Sequence, residues 1–107
     1  MNLEKPNLTW NKNKDYQNHL YQNFPNPFNP TTVIKYELDK PGNVSLKIFD
    51  MLGREINTLV NEIQDEGFHF AVWNGKNSNG YKVSSGIYIY SLISESGAVS
   101  KKLVLLK

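Results

Sequence analysis

A chain of 107 residues with 39% hydrophobic and 12% aromatic content can bury one core without help from metals or crosslinks, and it leaves no room for two domains. Its 12 basic and 10 acidic residues give a net charge of +2 and are scattered along the sequence, so no basic stripe tracks a phosphate backbone and nucleic acid is not an expected partner. Cysteine is absent, which removes disulfide and thiolate chemistry, and no apolar run approaches the roughly 18 residues of a membrane-spanning helix.

Residues 1–19 are polar and rich in Asn and Lys, with no sustained period of 2 or 3.6. They read as a linker or a loosely docked arm, in which Leu8 and Trp10 could add a short edge strand. The first 20 residues also lack the apolar stretch of a signal peptide. An exported protein would therefore carry its signal elsewhere, in a longer precursor.

A short strand is expected at residues 20–23. The following Phe24-Pro25-Asn26-Pro27-Phe28-Asn29-Pro30 cannot continue it, because each proline removes a ladder donor and holds φ near −65°. This stretch reads as a rigid corner, extended or polyproline-like, with Phe24 and Phe28 plugging the end of the core. Residues 31–38 alternate Ile34, Tyr36 and Leu38 against Lys35 and Glu37, and residues 43–50 alternate Val44, Leu46 and Ile48 against Ser45 and Lys47. With Pro41-Gly42 between them, they predict a hairpin.

Ile56, Leu59, Val60 and Ile63 are spaced like one face of a helix. The stretch lies between Gly53 and Gly67 and is short for an isolated helix, so residues 55–60 are read as a strand. Residues 67–73 and 86–93 are aromatic strands with large apolar side chains on both faces. They predict a central hairpin joined by a loop with two turn signals, Asn74-Gly75 and Asn79-Gly80. After Ser96-Gly97 a last strand covers residues 99–106. About seven strands with turn signals every 8–12 residues define an all-β, immunoglobulin-like antiparallel β-sandwich.

Candidate chemistry is sparse. His19 and His69 are the only histidines, and no carboxylates converge on either by spacing, so no metal site is expected. His69 alternates with Ala71 and Trp73 and reads as a packed, hydrogen-bonded side chain. The loop from Asn74 to Gly80 has the rhythm of a calcium loop, yet it offers neutral amides beside Lys76 and reads as a turn.

Ser84, Ser85, Ser91 and Ser94 have no base placed by motif and read as turn and surface residues. Glu62, Asp65 and Glu66 read as a solvated acidic loop. Asn7 and Asn43 begin glycosylation-type triplets, to which no function is assigned in so Asn-rich a chain. Of Phe70, Trp73, Tyr81, Tyr88 and Tyr90, alternation sends about two in three to the core. Tyr81, in the loop, is the best candidate for an exposed platform of the kind that binds polysaccharide. No catalytic residue and no cofactor is expected.

One resemblance is specific. Tyr21-Gln22-Asn23-Phe24-Pro25-Asn26-Pro27-Phe28-Asn29-Pro30-Thr31-Thr32 is followed in order by Ile48-Phe49-Asp50-Met51-Leu52-Gly53-Arg54, Gly67-Phe68-His69, Trp73-Asn74-Gly75, Ser85-Gly86-Ile87-Tyr88-Ile89-Tyr90 and Lys101-Lys102-Leu103-Val104-Leu105-Leu106-Lys107. Over residues 20–107 this resembles the C-terminal sorting domain of the type IX secretion system, type A. It is also similar to the immunoglobulin-like part of flagellar hook-capping proteins.

The resemblance implies a non-enzymatic address label on a covalently linked N-terminal cargo from a Bacteroidetes-type bacterium. The precursor would pass through the periplasm and an outer-membrane translocon to the cell surface or medium, and a sortase-like cysteine peptidase would remove the label. Recognition would involve Pro25 and Pro27 in the corner, Gly86 and Tyr88 in the Gly-x-Tyr strand, and Lys101, Lys102 and Lys107 at the end. A receptor could grip the last strand by strand addition. Free edge strands would also permit weak self-association. Asn74 stands where the family commonly has Asp, which removes a charge that an ion or salt bridge there would use. A carbohydrate-binding or adhesive module and a hook-capping-like assembly domain are the alternative readings.

Overall fold

The computed structural model describes residues 18–106. The expectations for Leu8, Trp10 and Lys107 lie outside these residues. Seven strands form two antiparallel sheets: β1 His19–Leu20, β2 Thr32–Leu38, β3 Gly42–Phe49, β4 Glu55–Gln64, β5 Gly67–Trp73, β6 Gly86–Ser94 and β7 Gly97–Leu105. The first sheet has the order β1-β2-β5 and the second β4-β3-β6-β7. The fold is the all-β sandwich that the alternation predicts.

The inner faces are those the period of two selects. Ile34, Tyr36 and Leu38 from β2 meet Val44, Leu46 and Ile48 from β3, Tyr88, Tyr90 and Leu92 from β6, and Leu103 and Leu105 from β7, with Trp73 and Phe28 at one end. These side chains leave water almost completely. Each large aliphatic or aromatic group so buried contributes roughly 1.5–3 kcal/mol relative to exposure.

The pairing differs from two sequence expectations. β2 and β3 are not a hairpin: β2 lies between β1 and β5, β3 lies between β4 and β6, and residues 39–41 carry the chain from one sheet to the other. β5 and β6 likewise lie in different sheets, joined across the sandwich by residues 74–85. Alternating apolar faces are equally well buried by facing one another as by lying side by side. The turn signals mark the corners without saying whether the chain returns in the same sheet.

β5 is consequently an edge strand and not a central one. Its Phe68, Phe70 and Val72 are exposed. β6 does lie mid-sheet between β3 and β7, but its outward Ile87 and Ile93 are exposed as well, so neither strand is buried on both faces. In the corner, Phe28 is 2% exposed and plugs the core, but Phe24 is 79% exposed, because it pairs with Val33 on the outer face of the first sheet. Ser91 is buried and exchanges a 2.6 Å hydrogen bond with Ser100 across the β6–β7 ladder, so it is not a surface residue. Its cross-strand neighbours cover it.

The helix-like spacing in β4 has a local cause. Leu46 pairs with Val60 and Lys47 with Thr58, which leaves Leu59 unopposed; Ile48 pairs with Asn57 and Phe49 with Glu55, which leaves Ile56 unopposed. Two bulges in one strand break the period of two and send Ile56, Leu59 and Val60 to the core together.

Candidate functional site: a proline corner clamped on the last strand

The residues before the corner are fixed by a buried polar knot. The Asn23 backbone N–H donates to Tyr90 Oη at 2.9 Å, and the Tyr90 hydroxyl donates to the Tyr21 carbonyl at 2.8 Å. Asn23 Nδ2 donates to the Pro25 carbonyl and to Thr32 Oγ1 at 3.1 and 3.0 Å, and Thr32 Oγ1 donates to the same carbonyl at 2.8 Å. Asn23, Thr32 and Tyr90 are all buried, so each bond satisfies a group that would otherwise be stranded away from water. Burial pushes the Tyr90 hydroxyl up to about 12, against the opposing pull of the Asn23 N–H.

Beyond the knot, the corner lies along the free side of β7. Gln22 Nε2 donates to the Lys102 carbonyl at 2.8 Å, and the Val104 N–H donates to Asn26 Oδ1 at 3.0 Å. The Phe28 N–H donates to the Val104 carbonyl, and the Leu106 N–H donates to the Phe28 carbonyl, both at 3.0 Å. Phe28 drives its ring against Trp73 with centroids 5.5 Å apart, and Trp73 meets Tyr88 edge-on at 5.4 Å. The three X–Pro bonds at Pro25, Pro27 and Pro30 are cis. Behind the corner, Gly75 takes a φ of 75° beside the Leu105 side chain and the Pro30 carbonyl, a backbone setting that favours glycine.

The residues assigned to recognition fall into two groups. Pro25 and Pro27 are exposed on the corner, and Lys102 is exposed on the strand that the corner clasps, so the structure brings these three together. Lys101 is half-buried opposite Tyr90, whereas Lys102 is opposite Ile89, so the two lysines point to opposite faces of the strand. Gly86 begins β6 opposite Leu105, and Tyr88 is buried with its hydroxyl donating to the Ser84 carbonyl at 2.6 Å. Those two shape the core beneath the clamp. Sequence reasoning gave Asn23, Asn26 and Thr32 no role of their own and weighed Tyr90 only as one of the aromatic set. The available signal was a run of Asn and Thr around prolines, since side-chain amides supply bonds that a proline backbone cannot.

Elsewhere the polar groups are structural. His69 Nε2 lies 2.7 Å from the Asp65 carbonyl and its ring stacks on Tyr36 at 5.4 Å, the packed arrangement read from its alternation. Asn77 Oδ1 accepts from the Asn79 and Tyr81 N–H groups, closing the loop as an Asx turn. Tyr81 is 70% exposed. The Arg54 backbone N–H and guanidinium hold the Asp50 carboxyl below the usual carboxylate range, which caps the β3–β4 turn. Among the described residues no group of three or more His, Asp or Glu side chains could hold a metal ion.

The sequence profile of the FlgD Ig-like domain matches residues 28–98. The chain belongs to the FlgD Ig-like domain family. Among solved structures, this Ig-like domain is similar to dimeric latent PorU from Porphyromonas gingivalis, at 25% identity and a TM-score of 0.68, over 83% of this chain and 9% of that one. It shares its fold with PorZ, described as an essential surface component of the type IX secretion system of the same bacterium, at 19% identity and a TM-score of 0.57, over 82% of this chain and 11% of that one. It also shares its fold with FlgD from P. aeruginosa, at 23% identity and a TM-score of 0.56, over 70% and 60% of the two chains. The chain thus spans about a tenth of PorU and of PorZ. No curated protein sequence matches it. The family match begins at Phe28 and leaves out the rest of the clamp: Gln22 to Pro27 precede it, and Val99 to Leu106 follow it.

Proposed function

We propose that this Ig-like domain is a non-catalytic, type A C-terminal sorting domain. It directs a covalently linked N-terminal cargo from the periplasm through the type IX outer-membrane translocon to the cell surface or medium, where a sortase-like cysteine peptidase removes it. The observation that carries this reading is the clamp. Pro25 and Pro27, which the motif resemblance singles out, flank Asn26, whose side chain accepts from Val104, two residues beyond the Lys102 singled out at the other end of the chain. Pro25, Pro27 and Lys102 all lie outside the part matched to the wider FlgD Ig-like family. Likeness to PorU, and a fold in common with a type IX surface component, support it.

The clamp also changes how a receptor would read the domain. The backbone groups of the last strand at Lys102, Val104 and Leu106 are already bonded to the corner. A translocon would therefore read the outer surface of the corner and the Lys102 ammonium, because adding a strand there would first require peeling the corner away. The test fuses residues 20–107 to a signal-bearing fluorescent cargo in a type IX host. Delivery to the surface or medium is expected, and removal of residues 101–107 should abolish it while the cargo still folds. Periplasmic retention of the intact fusion would refute the reading.

A carbohydrate-binding or adhesive role is favoured by one observation, the exposed rings of Phe24, Phe68 and Phe70 on the outer face of the first sheet. Affinity electrophoresis on polysaccharides tests it. Retardation that disappears in Phe70→Ala would support the adhesive reading, and unretarded migration would remove it.

A further inference from the structure

We propose that β5 is a self-complementary docking edge, at which two copies of this chain pair antiparallel about Phe70 and extend the first sheet into β1-β2-β5-β5-β2-β1. The inference stands on the edge strand alone and does not depend on the secretion reading. β1 is two residues long, and Asn18 beside it is tied to Ser94. β4 carries two bulges and the polar Asn57, Thr58, Asn61 and Glu62, and the Ser78 N–H donates to its Ile56 carbonyl. β7 is covered by the proline corner from Lys102 onward, and its first residues Gly97 to Ser100 form the short remainder. These are the usual ways of blunting an edge.

β5 has none of them. Gly67-Phe68-His69-Phe70-Ala71-Val72-Trp73 contains no proline and no Lys, Arg, Asp or Glu. Its open backbone groups follow from the ladder. Tyr21 and Phe24 bond to Lys35 and Val33, so Val33 and Lys35 turn their peptide groups towards that segment. Their neighbours Ile34 and Tyr36 then turn theirs to Ala71 and His69 of β5. Phe68, Phe70 and Val72 therefore aim N–H and C=O at the open side, where no described residue meets them.

A second β5 centred on Phe70 satisfies all of these groups at once. In that register Phe70 faces its own copy and Phe68 faces Val72, an aromatic against a β-branched side chain. On the inner face His69 meets Ala71 and Trp73 meets Gly67, large against small each time. No charge opposes another. Stacking the two outer faces is a poorer arrangement, because Lys35 occupies the middle of that face with its Nζ 4.5 Å from the Phe68 ring and 5.0 Å from the Tyr21 ring. Two copies stacked that way would bury two ammonium groups with no carboxylate between them, since Glu37 is engaged with His19 at 3.5 Å.

One seven-residue edge falls well short of the roughly 800 Å² per partner of a stable interface, so the dissociation constant should lie on the order of 0.1–1 mM. Sedimentation equilibrium of the full 107-residue chain, from dilute solution to about 1 mM, should show a reversible monomer–dimer equilibrium. Over the same range, hydrogen exchange at the amides of Phe68, Phe70 and Val72 should slow while that of other exposed amides stays unchanged. Phe70→Lys puts two ammonium groups face to face and should weaken association at least about tenfold, and Tyr81→Ala, away from the edge, should leave it unaltered. A chain that stays monomeric throughout, concentration-dependent protection at other strands, or dimerisation that persists in Phe70→Lys would each overturn the proposal. The exchange measurement on the unsubstituted chain decides the matter even if Phe70→Lys does not fold.

Discussion

The two outer strands β5 and β7 treat the same physical problem in opposite ways. Each ends a sheet and so presents a row of peptide groups with no neighbouring strand. Along β7 the groups from Lys102 to Leu106 are capped by Gln22, Asn26 and Phe28, and the cap is fixed by a buried phenylalanine on one side and the Asn23–Tyr90 knot on the other. Along β5 the corresponding groups at Phe68, Phe70 and Val72 are open and the side chains beside them are large and apolar. The lysine-tipped strand is therefore the closed edge, and the apolar strand is the open one. Surface recognition suits the first and strand pairing the second.

The largest way to break this contrast is Phe28→Ala. Removing a ring that is 2% exposed should cost about 3–5 kcal/mol, read as a shift of the urea midpoint. It should also speed hydrogen exchange at Leu106, whose N–H donates to the Phe28 carbonyl, so that β7 comes to resemble β5. A loss below about 1 kcal/mol would mean that the corner is not anchored through this ring.

Tyr90→Phe acts on the other anchor. It removes the acceptor of the Asn23 N–H and the donor to the Tyr21 carbonyl, and should cost about 1–3 kcal/mol at neutral pH. The hydroxyl's value of about 12 in the folded chain, against an ordinary 10.0, adds a pH signature. The fold favours the neutral phenol, so this contribution is complete below pH 10 and is lost as pH rises from 10 to about 12. Denaturation curves should show that alkaline loss in the unsubstituted chain and a reduced one in Tyr90→Phe. The slope left in the variant should come from Tyr36, which burial also raises.

A smaller change is Asn26→Ala, which takes away the acceptor of the Val104 N–H. The site is exposed, so water replaces the amide and the cost should be about 0.5–1.5 kcal/mol. Exchange at the Val104 amide should nevertheless rise about tenfold, a local opening of the closed edge that leaves the β5 amides untouched. Equal acceleration at both strands would show global loosening and remove the distinction between the two edges.

How far these features can be read from sequence depends on the range of the interaction that sets them. The inward faces of β2 and β3 were legible because burial on one side imposes a period of two within each strand. The stiffness of the corner was legible because proline carries it locally. Which strands pair was not, since Ile34, Tyr36 and Leu38 satisfy the same alternation whether β3 lies beside β2 or across from it. The bulges at Ile56 and Leu59 mimic a helical face until the partner strand shows them to be unopposed. Pro25, Pro27 and Lys102 could be singled out by motif, yet their meeting depends on bonds such as that between Asn23 and Tyr90, 67 residues apart, which no local pattern announces. Phe24 and Phe28 have nearly the same sequence surroundings, and only the pairing of Phe24 with Val33 turns its ring to solvent.

The smallest expected effect uses the same residue type as the largest. Phe70→Thr removes a whole benzyl group, but from a position 66% exposed on the outer face of the edge strand. The side chain is solvated in both the folded and unfolded monomer, so little transfer free energy is at stake. Threonine keeps the β-branched preference of a strand, and the backbone bonds to β2 run through Ala71 and His69 rather than through Phe70. In dilute solution, where no second copy contributes, the urea midpoint should move by no more than about 0.5 kcal/mol in equivalent stability. A loss above about 1.5 kcal/mol would mean that the outer face of the first sheet is packed against something in the monomer. In that case the open edge would be open only in appearance, and the contrast with β7 would have to be drawn instead between two differently covered edges.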